Sequence, residues 1–201
     1  KVETIERRLN PEPGKSPGDI WVEPSSRIPF VWVPKGCYSM GCGHWTDDCG
    51  IDEKPVHEVC LSGFWMGKHE VTKGQWNALM KTQLDPKKEG AEYPVSRISW
   101  EQSNEFICRL NQQSQLTFRL PTESEWEYAC RSGGKLEKYA GGNHPPETRP
   151  NWTEERHPVS PFTASSEERN TKQRHPVGSF TPNGLGLHDM SGNVWDWTTD
   201  L

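Results

Sequence analysis

The sequence predicts an α+β domain with little regular secondary structure, and three observations support this. The 201 residues are only 31% hydrophobic, yet they include 10 Trp, 6 Phe and 4 Tyr. Disordered chains are poor in such aromatic anchors, so the chain is expected to fold. The 18 Gly and 17 Pro favour turns over long elements. Strand-like runs fill the first third, and helix-start patterns follow them, as in a single α+β domain.

The charge and hydropathy patterns argue against two classes of function. The formal net charge is -5 at pH 7, and the sequence contains no long basic run. We therefore expect no nucleic-acid partner. No apolar run approaches the roughly 18 residues of a membrane-spanning helix, so no transmembrane segment is predicted.

The first third is predicted to be an arm followed by short strands. Residues 1–27 are polar and contain several prolines, which predicts an extended arm or linker. Residues 28–33 read Ile-Pro-Phe-Val-Trp-Val and predict a strand, and residues 36–41 predict a second short strand or a turn. An acidic loop at residues 43–55 comes next. The alternation over residues 56–65 then predicts a pair of strands.

Four of the six cysteines cluster in this turn-rich region. They are Cys37, Cys42, Cys49 and Cys60, and none of their spacings is the C-x-x-C that favours a zinc site. Two local disulfides fit better and would indicate an oxidising compartment. Of the three possible pairings we favour Cys42–Cys49, which closes a short loop, with Cys37–Cys60 joining two strands. Four reduced thiols in a cytosolic protein are the alternative.

Three helices are predicted, each from a capping box in which a hydroxyl residue lies three positions before a Glu or Gln. Their apolar faces are narrow, so each helix is expected to cover something larger than itself. The boxes and faces are Thr72–Gln75 with Trp76, Leu79 and Met80; Ser99–Gln102 with Phe106, Ile107 and Leu110; and Thr122–Glu125 with Trp126, Ala129 and Cys130. Cys108 and Cys130 lie inside helical patterns and are predicted to be small core residues.

A Gly-rich stretch at residues 184–200 holds the candidate site. Asp189 and Asp196 stand here among leucines and tryptophans, and an unpaired buried carboxylate is costly. Calcium binds carboxylate and carbonyl oxygens, and the Gly-Asn turn between the two aspartates could supply carbonyls. The alternative is a turn whose aspartates cap backbone amides, because the spacing is not that of an EF-hand. Before this stretch, the proline-rich residues 134–176 predict a long irregular segment of the kind that is usually functional or ion-stabilised.

Several long motifs, in order, resemble the formylglycine-generating enzyme, or sulfatase-modifying factor, family. They are Gly-Lys-His-Glu-Val-Thr at 67–72, Pro-Val-Ser-Arg-Ile-Ser-Trp at 94–100, Arg-Leu-Pro-Thr-Glu-Ser-Glu-Trp-Glu-Tyr-Ala at 119–129, and Gly-Leu-His-Asp-Met-Ser-Gly-Asn-Val-Trp-Asp-Trp at 186–197. The resemblance covers residues 28–201 and implies a C-type-lectin-like α+β fold. It implies that the chain contains the N-terminal two thirds of such a domain and is incomplete at its C-terminus.

The resemblance implies a fold more strongly than a reaction. The family's oxidases use copper, oxygen and two cysteines in the last third of the domain to convert a sulfatase cysteine to formylglycine. No residue here stands in for that cysteine pair, so no catalytic residue is assigned. The first hypothesis is a non-catalytic binding or scaffold module of an exported protein. The second is the copper-dependent oxidase, completed by residues beyond Leu201.

The resemblance also implies metal sites and partners. A calcium site matches Asp189, the carbonyls of Gly192 and Val194, and Asp196. A second calcium site would begin at Asn151 and Trp152, although its acidic partner is not evident. Copper is expected only if a further segment carries the cysteine pair. The expected partners are other subunits or a C-terminal fragment of the same domain, docked against residues 194–201. The expected location is periplasmic or extracellular.

Overall fold

The described residues form two small antiparallel sheets and three helices. The computed structural model describes residues 11–46, 49–51, 53–82, 89–143 and 174–200. Its strands are β1 (Ile20–Val22), β2 (Pro29–Val33), β3 (Gly36–Met40), β4 (His57–Leu61) and β5 (Phe64–Gly67). Its helices are α1 (Lys73–Met80), α2 (Trp100–Ser114) and α3 (Glu123–Cys130). One sheet has the order β1-β2-β5 and the other pairs β3 with β4.

Strand β2 is the central strand, and its two faces enter two separate hydrophobic clusters. Val31 and Val33 belong to a cluster with α3 and the Gly-rich stretch, where Leu187 is buried. Phe30, on the opposite face, belongs to a cluster built mainly on α1 and α2. Side chains alternate between the faces of a strand, so one short strand can join both clusters. Trp76 of α1 stacks on Phe106 of α2 in the second cluster, with ring centroids 5.2 Å apart.

All three helices begin at the predicted capping boxes. Thr72, Ser99 and Thr122 each accept a hydrogen bond from the amide three residues later, and the Gln or Glu at that position bonds back to the cap amide. Each box satisfies two amides that a helix start would otherwise leave unpaired. The boxes therefore fix where the connecting segments enter the helices.

The structure contains the two disulfides favoured from the sequence. Cys37 and Cys60 are bonded and stand directly opposite each other in the β3–β4 ladder. Cys42 and Cys49 are bonded across the loop that follows β3. Gly41 takes a positive φ of 98° at the base of this loop, and a Cβ there would lie 2.5 Å from the carbonyl oxygen of Glu53. A glycine is required at this close approach.

Three sequence-based expectations differ from the structure. Residues 20–22 form β1 and pair with β2, so the sheet begins inside the predicted arm of residues 1–27. Three residues are too few to show a strand pattern. Cys108, predicted to be a core residue, is exposed on α2, because it faces away from the buried Phe106 and Leu110. Trp126, on the apolar face predicted for α3, is only partly buried against the first cluster.

Within the part of the chain that the structure describes, no helix combines the length and apolar character that crossing a membrane requires.

Candidate metal centre

The Gly-rich stretch is held against the end of α3 by one buried asparagine. The Asn183 amide donates to the carbonyls of Ala129 and Cys130, at 2.7 Å and 3.1 Å. Its side-chain oxygen accepts from the amides of Leu185 and Leu187. The last carbonyls of a helix need partners outside the helix. Asn183 supplies them and sets the position of the chain that leads to Asp189.

Asp189 is buried and has one carboxylate oxygen that lacks a hydrogen-bond partner. Its side chain is 7% exposed and its backbone has a positive φ of 59°. Oδ2 accepts from the amide of Gly178 at 2.6 Å, whereas Oδ1 is buried without a hydrogen bond. Leaving such an oxygen unpartnered costs about 1–3 kcal/mol or more. A group absent from the protein itself is one way to satisfy it.

Glu70 lies close to Asp189 although it comes from the link between β5 and α1. Both of its carboxylate oxygens are buried and neither accepts a hydrogen bond. Burial raises the pKa of Glu70 well above its ordinary value, and the neighbouring carboxylates of Asp189 and Asp196 raise it further. Buried carboxylates that lie close together repel each other when both are ionised. A cation bound between them would replace this repulsion with attraction to the ion.

Asp196, the second predicted carboxylate ligand, faces solvent. It is exposed, and its Oδ2 accepts from the indole nitrogen of Trp126 at 3.1 Å. Between the two aspartates, Gly192 has a φ of 144° and its carbonyl accepts the amide of Val194 at 3.1 Å. The two residues whose carbonyls belong to the predicted ligand set, Gly192 and Val194, therefore lie in the turn between the two aspartates.

Asn193 links the turn to the segment that precedes it. Its side-chain oxygen accepts from the His175 amide at 3.0 Å, and its amide nitrogen donates to the His175 carbonyl at 3.3 Å. Together with the bond from Gly178 to Asp189, these contacts fix residues 175–178 beside the candidate site. The centre therefore joins the β5–α1 link, residues 175–178 and the Gly-rich turn.

The residues present fit a hard divalent cation. Glu70, Asp189 and Asp196 offer only oxygen donors, as calcium prefers, and three buried oxygens of Glu70 and Asp189 lack hydrogen bonds. In the part of the chain that the structure describes, the three carboxylates do not all lie within 4.8 Å of one another, so one ion would bind all three only after at least one of these side chains moves. Among the described residues only Cys42, Cys49 and Glu53 form such a group, and its two cysteines form a disulfide. That group therefore offers no thiolate to a metal.

The sequence analysis missed Glu70 as a possible ligand. Glu70 lies in the motif Gly-Lys-His-Glu-Val-Thr at residues 67–72. The signal that could have identified it is its position, since Glu70 is the acidic residue between the strand β5 and Thr72, the cap of α1. The second predicted calcium site, at Asn151 and Trp152, lies outside the described residues.

All six cysteines of the chain have a defined environment. Four form the two disulfides. Cys130 is fully buried on α3, and its Sγ donates to the carbonyl of Met190 at 3.2 Å. Cys108 is exposed on α2, where Gln112 donates to its sulfur. One thiol is thus inside the core and the other faces solvent on a different helix.

Comparison with known proteins places these features in a family. The family model described as the sulfatase-modifying factor enzyme 1-like domain matches residues 22–201. A chaperone protein, LppX, of Paenibacillus barcinonensis is 31% identical over 176 residues, which is 69% of this chain and 62% of that protein. The formylglycine-generating enzyme of Mus musculus is 27% identical over 231 residues, 88% of this chain and 59% of that enzyme.

Two further similarities concern a catalytically inactive relative and the fold. The inactive C-alpha-formylglycine-generating enzyme 2 of Bos taurus is 35% identical over 111 residues, 55% of this chain and 34% of that protein. The structure of PvdO from Pseudomonas aeruginosa superposes with a TM-score of 0.71 at 22% identity, covering 93% of this chain and 76% of PvdO. The chain spans 62% and 59% of the length of LppX and the mouse enzyme.

Proposed function

The chain belongs to the family of sulfatase-modifying factor enzyme 1-like domains, and we propose that it is a non-catalytic, calcium-stabilised binding or scaffold module of an exported protein or complex. The finer description of its α+β fold as C-type-lectin-like is part of the same proposal. The single observation that carries the non-catalytic role is the state of the cysteines.

Copper chemistry at a substrate thiol requires thiolates within bonding reach of the metal. Four cysteines are oxidised in pairs, Cys130 lies in the core, and Cys108 faces solvent on another helix. A buried and an exposed thiol on different helices are unsuited to share one copper ion in a surface cleft. These 201 residues therefore offer no two-thiolate copper site, in keeping with a family that includes a relative named as inactive.

Calcium is the proposed structural ion of the module. Glu70, Asp189 and Asp196 would hold it through carboxylates, and the carbonyls of Gly192 and Val194 would complete the oxygen donors. The buried, unpartnered oxygens of Glu70 and Asp189 support this assignment. The ion would supply charge neutralisation at a point where three separate segments meet. A second calcium site that begins at Asn151 and Trp152 is also proposed.

Two disulfides indicate a compartment other than the cytoplasm, because cytosolic reductants keep thiols reduced. We propose the periplasm or the extracellular space. Other protein subunits, or a further segment of the same domain packed against residues 194–200, are the proposed partners. The relative that is named as a chaperone supports a binding role.

The second candidate function is the formylglycine-generating oxidase, with copper bound by cysteines beyond Leu201. The observation in its favour is the match to the mouse enzyme over 88% of this chain. The test is incubation of the purified chain with copper, oxygen and a Cys-x-Pro-x-Arg peptide, the motif that the family's oxidases recognise, with an active formylglycine-generating enzyme as positive control. We expect no aldehyde by mass spectrometry. Aldehyde formation by the 201 residues alone would overturn the non-catalytic proposal.

A further inference from the structure

Asparagine side chains hold connecting segments of this protein by pairs of hydrogen bonds to one residue. Asn111 on α2 accepts from the amide of Phe118 at 2.6 Å and donates to the Phe118 carbonyl at 3.0 Å. Asn193 in the Gly-rich turn bonds in the same way to both backbone groups of His175. A side-chain amide contains both a donor and an acceptor, so it can satisfy the N–H and the C=O of one residue together. Such a pair of bonds is named a clamp here.

The Asn193 clamp holds the residue just before a short turn. The amide and the hydroxyl of Ser179 both donate to the carbonyl of Pro176, at 3.2 Å and 2.5 Å. Gly178, inside this turn, has a positive φ of 74°, a conformation that favours glycine. Its amide donates to Asp189 Oδ2 at 2.6 Å. The clamp therefore fixes the turn whose amide holds the buried carboxylate.

Residues 175–178 are also bonded to the part of the chain that lies beside Glu70. The Val177 amide donates to the carbonyl of Glu92 at 2.9 Å. Three residues further on, the Val95 amide donates to the carbonyl of the residue after Glu70, also at 2.9 Å. Backbone bonds thus connect both segments that carry the buried carboxylates. The clamp consequently contributes to the relative position of these two carboxylates.

The freedom of carboxylates to move decides which ion a site of oxygen donors prefers. Calcium accepts oxygen ligands at about 2.3–2.6 Å in variable geometry, whereas magnesium requires about 2.0–2.1 Å and a nearly ideal octahedron. Carboxylates that are held in place cannot close around the smaller ion. Asp189 is restrained because its Oδ2 is bonded to Gly178, while its buried Oδ1 lacks a hydrogen bond. Restraint of Asp189 therefore favours the larger ion.

We propose that Asn193 is the positioning residue of the calcium centre. Its clamp limits the movement of Asp189 relative to Glu70, and so favours calcium over the smaller magnesium ion. Asn193 acts through the Gly178 amide and is not itself a ligand, because both polar ends of its side chain are bonded to His175. The inference rests on the proposed calcium-stabilised role and names the residue that sets the ion preference of that centre.

The test uses two variants that lack the clamp. Asn193→Gly keeps a backbone that adopts the positive φ of 73° without strain, whereas Asn193→Ala strains it. The bond from Val177 to Glu92 remains in both, so both are expected to fold. Calorimetry with calcium chloride is expected to show about tenfold weaker binding to each variant than to the parent. With magnesium chloride the affinity is expected to change by less than about twofold, so the preference for calcium falls.

Asn111→Ala is the matched control, because it removes the equivalent clamp on Phe118 at the end of α2. It is expected to lower the melting temperature and to leave the affinities for both ions unchanged. A second measurement needs no ion. In EDTA, hydrogen exchange followed by NMR is expected to show about tenfold faster exchange of the Gly178 amide in Asn193→Gly than in the parent, and no such change in Asn111→Ala.

Unchanged calcium affinity in Asn193→Gly would overturn the proposal. Equal losses for calcium and magnesium would also overturn it, since a general loosening weakens both ions alike. A loss in Asn193→Ala alone would assign the effect to backbone strain, and a similar loss in Asn111→Ala would assign it to lower stability. These outcomes reject only the role of Asn193. If the parent itself binds no calcium, the calcium-stabilised role fails together with this inference.

Discussion

Arg131 and Glu127 form a buried ion pair one turn apart at the end of α3. Arg131 Nη1 lies 2.7 Å from Glu127 Oε1, with side-chain exposures of 1% and 10%. The pair also braces the disulfide-closed loop. The Gly41 amide donates to Glu127 at 3.1 Å, and the guanidinium carbon of Arg131 lies 4.8 Å from the ring centroid of Trp45.

The first prediction is that Arg131→Met destabilises the protein by about 3–5 kcal/mol, because it leaves the Glu127 carboxylate buried without its counter-charge. The matched control is Arg109→Met, which breaks an exposed pair with Glu105 of similar length, 2.6 Å. Exposed pairs contribute about 0–1 kcal/mol. Urea denaturation followed by tryptophan fluorescence measures both. If both variants lost the same free energy of unfolding, burial would not be what makes the Arg131–Glu127 pair important.

The second prediction concerns Glu125, which both caps α3 and pairs with Arg119. Burial tends to raise the pKa of Glu125, but the hydrogen bonds from Arg119 and from the Thr122 amide outweigh it and hold that pKa below its ordinary value of 4.5. A carboxyl whose pKa is lower in the folded chain stabilises the fold above its unfolded pKa. That stabilisation is lost as the pH falls through the folded-state pKa.

Glu125→Gln keeps the capping-box geometry but removes the charge. We therefore expect the free energy of unfolding to drop near neutral pH by about 1 kcal/mol, and the variant and the parent to converge as the pH falls through the lowered pKa of folded Glu125. Glu58→Gln, at an exposed position on β4, is the control and is expected to change little. If the free energy of unfolding of Glu125→Gln differed from that of the parent by the same amount at every pH, the charge of Glu125 would not contribute to stability.

The third prediction compares the two disulfides. In the chain-entropy description, a cross-link stabilises more when it closes a longer loop. Cys37 and Cys60 are 23 residues apart, whereas Cys42 and Cys49 are 7 apart. Replacing Cys37 and Cys60 by serine should cost about 3 kcal/mol, roughly 1 kcal/mol more than the same change at Cys42 and Cys49. Thermal unfolding of the two double variants checks the order, and a reversed order would show that the short loop contributes native contacts of its own.

The helix starts could be predicted because their determinants are local. Thr72, Ser99 and Thr122 each interact with a residue three positions away, so the information lies within four residues of sequence. The prediction that Cys108 is a core residue was wrong, because the side of the helix that it faces was misjudged. Its position two residues from both Phe106 and Leu110 places it roughly 200° around the helix from each, a phase that a simple apolar run does not reveal.

The candidate site could be predicted only in part because its members come from distant segments. Asp189 and Asp196 belong to one stretch, so a carboxylate site there was foreseeable. Glu70 is distant from them in sequence and interacts with them only in the folded chain. Its lack of a hydrogen-bond partner is likewise a property of the folded chain. Strand β1 shows the same limit, since Ile20–Val22 is identified by its pairing with β2 and not by its pattern.

The fourth prediction is that Glu70→Gln has opposite effects with and without calcium. Without the ion, replacing a buried carboxylate that faces Asp189 removes desolvation and repulsion, so the variant should be more stable than the parent by about 1–2 kcal/mol. With calcium at about 100 times the dissociation constant, the parent should gain about 2.7 kcal/mol, and the variant much less, because it lacks one anionic ligand.

Thermal unfolding in EDTA and in calcium shows whether the order of stability of the parent and Glu70→Gln reverses between the two buffers. Glu58→Gln serves as the charge-matched control, since it changes the same functional group at an exposed strand position, and should track the parent in both buffers. Trp126→Phe adds a graded variant, because it removes the hydrogen bond to Asp196 without removing a ligand, and should weaken calcium binding about tenfold. If calcium raises the melting temperature of parent and Glu70→Gln equally, Glu70 is not a ligand. If it raises neither, the aspartates act as caps for backbone amides.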